Sequence, residues 1–369
     1  MTSRFVVHTE ASLGWGGQEI RVLSEMAGMM TRGHRMLLLC PAAARIHDEA
    51  QARGVPVEAL PIGRKRLPGL LALLRRLRKL KPDLVVTHSS TDSWLVALAT
   101  RFWSAAPPVV RIRHISAPVG RNATTRWLYG RAAAHVVTTG ERLREDLIRD
   151  LGLAEDQVSS VPTGIDLVHY APRDNAAARR QLGLPEAGSY IGIAATLRSW
   201  KGHRYLLDAW AGMPRDAADR LLVVGDGPGR DNLRRQAEEL GIAGQVTMPG
   251  NQSDVAPWLA AMDIFVLPSY ANEGVPQSIM QAMAMGLPVI STPVGSIPEI
   301  VSDGATGLLV APRDTDALRA ALVALAGDPA QRRRLGDAAA TRARERFADT
   351  LMLDRMEAIF QRVLAERRR

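Results

Sequence analysis

The sequence predicts an α/β protein with two doubly wound parallel sheets in series. Short apolar runs alternate with amphipathic segments of helical period along the chain, which is the pattern of parallel strands joined by helical crossovers. The chain has 369 residues, more than one ordinary core sustains, so two domains of roughly 150–200 residues each are expected. A segment enriched in charge, Ala, Pro and Gly at 171–188 separates the two series and marks the predicted hinge.

The individual elements follow from the apolar pattern. In the first series, strands are expected at 5–8, 36–40, 84–86, 109–112 and 135–138, with helices that include 18–30, 68–80 and 141–151. In the second series, strands are expected at 190–197, 221–224, 246–248, 264–267, 289–291 and 308–310. Ligands of such sheets bind at the carboxyl ends of the strands.

The net charge of +9 lies entirely in the N-terminal half, where residues 1–187 carry 26 Lys+Arg against 17 Asp+Glu. Eight of these cations fall between Arg64 and Lys81, without an acid and interleaved with leucines at helical spacing. This pattern predicts a basic amphipathic helix. Its leucines either face the core beneath a solvated basic face or the helix lies on anionic lipid. Nucleic acid is disfavoured, because no aromatic stacking platform or base-reading motif accompanies the charge.

Cysteine content and the N-terminus bear on location. The one cysteine, Cys40, cannot form an internal disulfide, which fits a reducing compartment. The apolar run at 5–8 is too short for a signal peptide, and the long uncharged stretch 274–298 contains four prolines. We therefore expect a cytoplasmic protein, with peripheral contact to the inner face of the cell membrane if the basic helix binds lipid.

The most informative segment follows the predicted strand at 264–267. It contains an acidic residue, Glu273, followed by Gly274, Val275 and Pro276 and then a helical segment. Pro276 suits the first helical position, and the N–H groups after Gly274 form an entrance that attracts phosphate. Carboxylates accept hydrogen bonds from sugar hydroxyls. A polyhydroxylated, phosphorylated ligand is expected here.

Four consecutive motifs carry a family resemblance. They read Pro-Ser-Tyr-Ala-Asn-Glu-Gly-Val-Pro at 268–276, Gln-Ala-Met-Ala-Met-Gly-Leu-Pro-Val-Ile at 281–290, Val-Gly-Ser-Ile-Pro-Glu-Ile-Val at 294–301 and Asp-Gly-Ala-Thr-Gly-Leu-Leu-Val at 303–310. This region resembles the family 4 retaining glycosyltransferases. The resemblance implies the GT-B fold, in which two Rossmann-like domains face one another across a cleft. The expected domains are 1–175 on the acceptor side, 188–346 for the nucleotide-sugar donor, and a helix in 347–369 that returns to the first domain.

The resemblance assigns roles in the second domain. Glu273 would bind hydroxyls of the transferred sugar, and Gln281 stands where the family's Glu-x7-Glu motif has its second glutamate, which typically holds the nucleotide ribose. Gln still accepts from a ribose hydroxyl but without charge, so we expect either weaker donor binding or a compensating residue. Lys201 matches the family's Lys-Gly pair, whereas the usual Arg position is Thr196. If the strand continues to 198, Arg198 points to the same face and replaces that arginine. Solvated surface cations are the alternative interpretation.

Two further sites are expected in the first domain. Gly16 and Gly17 lie in a Gly-rich turn between strand and helix, which resembles the family loop over the donor phosphates; a plain strand-to-helix turn is the alternative. His114 follows the strand at 109–112, where the family places a histidine facing the transferred sugar. In isolation it would more often be a structural histidine.

Together these features predict a retaining glycosyltransferase that transfers a hexose-like unit from a nucleotide diphosphate sugar to a cell-envelope saccharide or lipid acceptor, of lipopolysaccharide or exopolysaccharide type. No cofactor is expected, and no His or Cys cluster has metal-ligand spacing. Two alternatives remain. One is an enzyme that catalyses a different reaction on the same fold, such as a nucleotide-sugar epimerase or a phosphorylase. The other is an accessory subunit that retains the fold without turnover, as the Gln281 and Thr196 departures would allow.

Overall fold

The computed structural model describes residues 2–214 and 217–367, so the last two residues of the expected segment 347–369 lie outside the described residues. The chain divides into two compact units. Unit 1 comprises Met1–Gly164 and Asp349–Arg369, and unit 2 comprises Ile165–Ala348. Each unit has a parallel sheet flanked by helices, which confirms the predicted fold class.

Unit 1 contains a seven-stranded parallel sheet within its described residues, in the order β3-β2-β1-β4-β5-β6-β7. Its strands are β1 (Phe5–Thr9), β2 (Arg35–Cys40), β3 (Val57–Ala59), β4 (Leu84–Thr87), β5 (Val109–Arg113), β6 (His135–Thr138) and β7 (Val158–Ser160). Its first helices are α1 (Gly17–Thr31), α2 (Arg45–Ala52), α3 (Leu67–Leu80), α4 (Ser90–Thr100), α5 (Ala123–Trp127) and α6 (Glu141–Leu151).

Apolar clusters pack on both faces of this sheet. Val6 of β1 packs with residues of α1 and α2, whereas its neighbour Val7 packs with residues of α3 and α4. Successive side chains of a strand point to opposite faces, so a strand buried on both sides reads as a continuous apolar run. That is why the central strands were visible in the sequence.

The two edge strands of unit 1 were not predicted. β3 and β7 have three residues each and lie at opposite ends of the sheet. Their sequences, Val-Glu-Ala and Val-Ser-Ser, carry a single β-branched apolar residue each. Edge strands of this length are half-covered and need no apolar run.

Unit 2 contains a six-stranded parallel sheet within its described residues, in the order β10-β9-β8-β11-β12-β13. Its helices are α7 (Asn175–Gln181), α8 (His203–Ala211), α9 (Arg230–Glu239), α10 (Ala256–Ala261), α11 (Gln277–Ala284), α12 (Ile297–Ile300), α13 (Thr315–Gly327) and α14 (Pro329–Arg346). Its strands are β8 (Tyr190–Ala194), β9 (Arg220–Val224), β10 (Val246–Gly250), β11 (Ile264–Leu267), β12 (Val289–Ser291) and β13 (Gly307–Leu309).

The division between the units falls earlier than the sequence analysis placed it. Unit 1 ends at Gly164, and the segment 171–188, where the hinge was expected, belongs to unit 2 and contains α7. Two residues of α7 bind the end of α10: Asn175 Nδ2 donates to Met262 O at 3.0 Å and Arg179 Nε donates to Ala261 O at 2.9 Å. These contacts fix the segment to the second sheet.

The last helix, α15 (Asp349–Glu366), packs within unit 1. Its apolar face, which includes Met356 and Phe360, joins the cluster that contains α1. Gly28 of α1 lies so close to Leu353 that an added Cβ would be 2.4 Å from Leu353 Cδ1. The core of unit 1 is therefore completed by the C-terminal segment.

Candidate functional site

The candidate site of unit 2 lies between β8 and β11, the point at which the strand order of its parallel sheet reverses. The crossovers from β8 lead to one edge of the sheet and those from β11 lead to the other, although the two strands pair side by side. The crossovers after β8 and β11 therefore run in opposite directions, and the loops at the carboxyl ends of these two strands lie at a switch point of the sheet. Such switch points are where open α/β sheets bind ligands.

Two backbone contacts tie these loops together. The Tyr270 amide after β11 donates to Trp200 O in the turn after β8, at 2.8 Å. Gly202 packs against the Pro268 carbonyl with φ +79°, and a Cβ at this position would lie 2.0 Å from Pro268 O. Glycine is required here for both the left-handed backbone and the close approach. The turn that carries Lys201 is thereby placed beside the loop that carries Glu273.

Lys201 and Glu273 form an ion pair at this switch point. Lys201 Nζ lies 2.7 Å from Oε1 and 3.0 Å from Oε2 of Glu273, and Ser269 Oγ donates to Oε1 at 2.6 Å. The side chain of Glu273 is 4% exposed and that of Lys201 is 18% exposed. A carboxylate and an ammonium held together in this way present hydrogen-bond acceptors and a cation to one ligand.

The structure changes one detail of the helix entrance. Pro276 is the N-cap of α11, with φ −67° and ψ 119°, rather than its first helical residue as predicted. Val275 is buried at this entrance, and Gly274 is half-buried. Gln281 lies on the buried side of α11 and is 9% exposed. These residues follow Glu273 directly in the chain or in the next helical turns.

The structure contradicts the premise behind Arg198. β8 ends at Ala194, because the chain then follows the end of β9 through hydrogen bonds such as Leu197 N to Asp226 O at 3.0 Å. Thr196 and Arg198 are nevertheless both exposed around the buried Leu197. The Arg198 guanidinium lies over the Trp200 ring, 5.3 Å from its centroid. Arg198 is thus in the same turn as Lys201 but is not placed by a continuing strand.

His203 was not predicted and lies directly after this turn, at the first residue of α8. Burial, with a smaller contribution from the Lys201 ammonium, lowers the pKa of His203 to about 3. The ring is therefore neutral at pH 7 and adds no charge beside Lys201. The sequence feature that could have identified His203 is its position directly after the Lys201–Gly202 pair.

Gly295 packs against the backbone of the Glu273 loop, and its substitution tests whether this contact positions Glu273. Its φ is +59°, and an added Cβ would lie 1.9 Å from Glu273 O. We expect Gly295→Ala to displace Glu273, lowering the free energy of unfolding by about 3 kcal/mol or more and lowering turnover with it.

Gly304→Ala is the matched control, because Gly304 has φ +69° with nothing within 4 Å of an added Cβ. It should cost only roughly 1 kcal/mol. Equal losses in urea unfolding would show that the contact with Glu273 is unimportant.

Unit 1 has its own switch point, between β1 and β4. The Gly-rich turn lies here: Gly16 is the N-cap of α1, and Gly17 is its first residue. Glu10 shapes the chain before the turn, because its carboxyl accepts hydrogen bonds from the Ser12 amide and from Gln18 Nε2. Burial, and then the charge of Asp92, raise the pKa of Glu10 to about 8, so this carboxyl is mostly protonated at pH 7.

His114 lies at the end of β5 and is hydrogen-bonded to a second histidine that the sequence analysis did not single out. Its Nε2 is 3.1 Å from His88 Nδ1, and His88 Nε2 is 2.9 Å from Nδ1 of His8. His8 lies in β1 and His88 follows β4. The available signal was the repeated placement of a histidine at or after the end of an apolar strand.

Two features are absent from the described residues. No helix in this part of the chain combines the length and apolarity needed to cross a bilayer. The same residues contain no group of three or more His, Cys, Asp or Glu side chains arranged to hold a metal ion.

Comparison with known proteins identifies the family. Residues 15–169 match "Glycosyltransferase Family 4", and residues 188–328 match "Glycosyl transferases group 1". The D-inositol 3-phosphate glycosyltransferase of Xylanimonas cellulosilytica is 31% identical over 302 residues, which cover 74% of this chain and 71% of that protein. This chain belongs to the GT-B glycosyltransferases. The enzyme of the same name from Nocardia farcinica is 35% identical over 230 residues, 59% of this chain, and the match covers half of that relative's length.

Solved structures of glycosyltransferases share the fold. A glycosyltransferase from Rickettsia africae superimposes with a TM-score of 0.88 at 19% identity, covering 99% of both chains. Anabaena Alr3699/HepE in complex with UDP-glucose superimposes with a TM-score of 0.85 at 22% identity, covering 97% of this chain and 99% of that one. Both structures share the fold of this chain, with its two parallel-sheet units.

Proposed function

We propose that the protein is a retaining glycosyltransferase that uses a nucleotide diphosphate sugar as donor. The Lys201–Glu273 pair at the switch point of unit 2 carries this proposal, because it joins a buried carboxylate to a cation beside the start of α11. The carboxylate accepts hydrogen bonds from hydroxyls of the transferred sugar, while the ammonium and the Gly274–Pro276 backbone bind the diphosphate. Arg198, in the same turn as Lys201, adds positive charge on the nucleotide side.

The reaction proposed is a front-face displacement. A hydroxyl of the acceptor forms a bond to the anomeric carbon while the bond from that carbon to the phosphate oxygen breaks. The proton of the hydroxyl passes to the leaving phosphate. Lys201 stabilises the negative charge that develops there, which is why no metal ion is required in this scheme. Within unit 1, the residues proposed to bind substrate are His114 and the turn at Gly16 and Gly17.

Nucleotide binding is the first test, because the proposal needs a donor site in unit 2. We expect one nucleoside diphosphate to raise the melting temperature, since a ligand at 100 times its Kd stabilises a protein by about 2.7 kcal/mol. UDP is the first candidate, because the Anabaena relative was solved with UDP-glucose. GDP and ADP serve as comparisons, and the matching sugar nucleotide is then incubated with acceptors to detect transfer.

The outcomes separate the alternatives. Transfer of the sugar with retained anomeric configuration supports the proposal, whereas an inverted product contradicts it. An altered sugar nucleotide without acceptor would indicate an epimerase. Absence of binding by all three diphosphates at millimolar concentration would indicate an accessory subunit.

For the acceptor, we propose a cell-envelope saccharide or lipid, located at a membrane surface. The support comes from α3 and α4, which pack side by side in unit 1. Leu73 and Leu77 of α3 face the core, but Leu67 is 64% exposed and Phe102, just after α4, is 90% exposed. Exposed apolar side chains beside a basic helix are typical of surfaces that lie on anionic membranes.

Aromatic and cationic side chains are interleaved on this surface. Arg78 lies 6.0 Å from the Trp103 ring centroid, and Arg101 lies 5.6 Å from that of Phe102. Amphipathic aromatic rings favour the boundary between headgroups and hydrocarbon. We propose that the surface formed by residues 64–81 and 98–103, named the α3–α4 surface, binds anionic phospholipid.

Removal of three exposed cations tests the α3–α4 surface. We expect Arg75→Ala, Arg78→Ala and Lys79→Ala together to weaken binding to vesicles of anionic phospholipid by about 100-fold, since each cation near such a surface contributes about 1 kcal/mol. Cosedimentation with vesicles measures this loss. Neutral phosphatidylcholine vesicles should bind poorly with or without the substitutions.

The matched control removes three exposed cations from unit 2, namely Arg234, Arg235 and Arg333. If the control variant loses vesicle binding equally, the attraction is a property of net charge and the α3–α4 surface is not the docking site.

A phosphorylated inositol is a second candidate acceptor. The relatives from Nocardia farcinica and Xylanimonas cellulosilytica are both named D-inositol 3-phosphate glycosyltransferases. A water-soluble acceptor of this kind would be glycosylated without vesicles. Transfer to inositol phosphate but not to lipid-linked acceptors would therefore favour this candidate over the envelope acceptor.

A further inference from the structure

Three histidines of unit 1 form one hydrogen-bonded chain. His8 belongs to β1, His88 follows β4 and His114 follows β5, and these three strands are neighbours in the sheet. The N···N distances are 2.9 Å between His8 and His88 and 3.1 Å between His88 and His114. The ring planes differ by 21° and 36°. The chain runs from the fully buried His8 to the half-buried His114.

The backbone of the middle histidine, His88, is held by the buried carboxyl group of Asp92. The His88 amide donates to Asp92 Oδ2 at 2.9 Å, and Thr9 Oγ1 donates to the same oxygen at 2.8 Å. Asp92 also forms a capping box with Ser89 at the start of α4. The β1 strand, the α4 helix and the His88 backbone are thus joined by one buried carboxyl group, which fixes the backbone position from which the ring extends.

The three rings are neutral at pH 7. Burial lowers the pKa of His8 to about 3, and burial also lowers the pKa values of His88 and His114 well below the usual range. The nearby guanidinium groups of Arg21 and Arg111 act in the same direction on the pKa values of His88 and His114. A neutral imidazole has one N–H donor and one acceptor nitrogen, so the two hydrogen bonds must point the same way along the chain.

The buried end of the chain decides that direction. His8 Nε2 is buried and has no hydrogen-bond partner among the described residues. If the chain ran inward, this nitrogen would carry a buried N–H without an acceptor; if it runs outward, only a lone pair is left there. Unpaired buried N–H donors are rarer in proteins than unpaired buried acceptors. The outward direction makes His8 donate through Nδ1 to His88, and His88 donate through Nδ1 to His114 Nε2.

We propose that His8 and His88 are positioning residues that hold His114 in the tautomer with its proton on Nδ1. His114 then offers its substrate a hydrogen-bond donor and not a base. The recipient is an oxygen of a sugar substrate, a consequence that rests on the proposed function. The tautomer itself does not depend on it. Fixing the tautomer of an active-site histidine through its other ring nitrogen is a known means of tuning such residues.

The tautomer is measured directly on the intact protein labelled with ¹⁵N-histidine. Long-range ¹H–¹⁵N correlation spectra distinguish protonated from unprotonated ring nitrogens, and the chain contains eight histidines to resolve. We expect the proton on Nδ1 of His114 and no proton on Nε2 of His8. A His114 ring protonated on Nε2, or on both nitrogens at pH 7, overturns the proposal whether or not the protein transfers sugar.

Substitution of His88 tests its positioning role. In His88→Leu the chain is broken, and we expect kcat to fall at least about 10-fold, towards the 10²-fold typical of losing one transition-state donor, with little change in the donor KM. In His88→Gln the side-chain carbonyl accepts from His8 and the amide donates to His114. This variant should retain kcat near the wild-type value and the same His114 tautomer.

The comparison separates positioning from stability. A folded His88→Leu protein with wild-type kcat, or a His88→Gln protein as impaired as His88→Leu at equal melting temperature, contradicts the role. If the wild-type protein transfers no sugar to any acceptor, the proposed function fails, while the spectrum of the unmodified protein still decides the tautomer.

Discussion

Lys201→Ala should lower kcat for sugar transfer by about 10²–10³-fold, because it removes the cation beside the departing diphosphate. Lys201 Nζ lies within 3.0 Å of both carboxylate oxygens of Glu273, so its position is fixed before any ligand arrives. A preorganised charge of this kind stabilises developing negative charge without reorganisation. Initial rates at saturating donor measure the loss, and turnover near the wild-type value would refute the assigned role.

This substitution should also destabilise the protein, which the motif alone did not indicate. Breaking a buried ion pair by removing one partner commonly costs about 3–5 kcal/mol, and because Lys201 is partly exposed we expect a loss of about 3 kcal/mol. The activity assay must therefore be run well below the reduced melting temperature. Arg204→Ala is a suitable control, since Arg204 is an exposed cation three residues further along. Arg204→Ala should leave kcat and the free energy of unfolding nearly unchanged.

Glu273→Gln should lower kcat/KM by about 10²-fold. Hydrogen bonds to a charged acceptor contribute about 1.5–3 kcal/mol and those to a neutral one about 0.5–1.5 kcal/mol, so each sugar hydroxyl bound by Glu273 loses roughly a factor of 10. Two such hydroxyls give the expected total. The amide oxygen of Gln can still accept from Ser269, which keeps the side chain in place. The matched control is Glu239→Gln, at an exposed position of α9.

Glu273→Gln and Lys201→Ala should lower the melting temperature of the protein by different amounts. Glu273→Gln leaves Lys201, whose side chain is 18% exposed and can turn to water, whereas Lys201→Ala leaves the 4% exposed carboxylate of Glu273. The buried group is the more costly one to deprive of its counter-charge. We therefore expect a smaller fall in melting temperature for Glu273→Gln. The reverse order would mean that Lys201 is the more desolvated partner.

The sequence predicted the parts of the fold that are buried on both faces. β11 and the Glu273 loop were visible because an apolar run of four residues enters a recognisable motif. β3 and β7 were missed because edge strands need no such run. The end of β8 was also misplaced, since residues 195–197 are apolar or small yet follow β9 through irregular hydrogen bonds.

The missing site contacts have a different cause. Lys201 and Glu273 are 72 residues apart, and His8 and His88 are 80 residues apart. Neither spacing carries a signal, because these pairs meet only through the order of strands in each sheet. The family resemblance supplied Lys201 and Glu273 separately, and His114 alone of the three histidines. Sheet order then shows that both clusters lie beside a switch point.

The packing of α15 in unit 1 also bears on how the chain folds during synthesis. The ribosome completes most of unit 1 first, yet Met356 and Phe360 of its core emerge only after all of Ile165–Ala348 has been made. At about 5–20 residues per second, translation of that insertion takes roughly 10–40 s. During this interval the cluster that contains α1 lacks the apolar side chains of α15, so the nascent chain passes through a period in which chaperones can bind that part of its core.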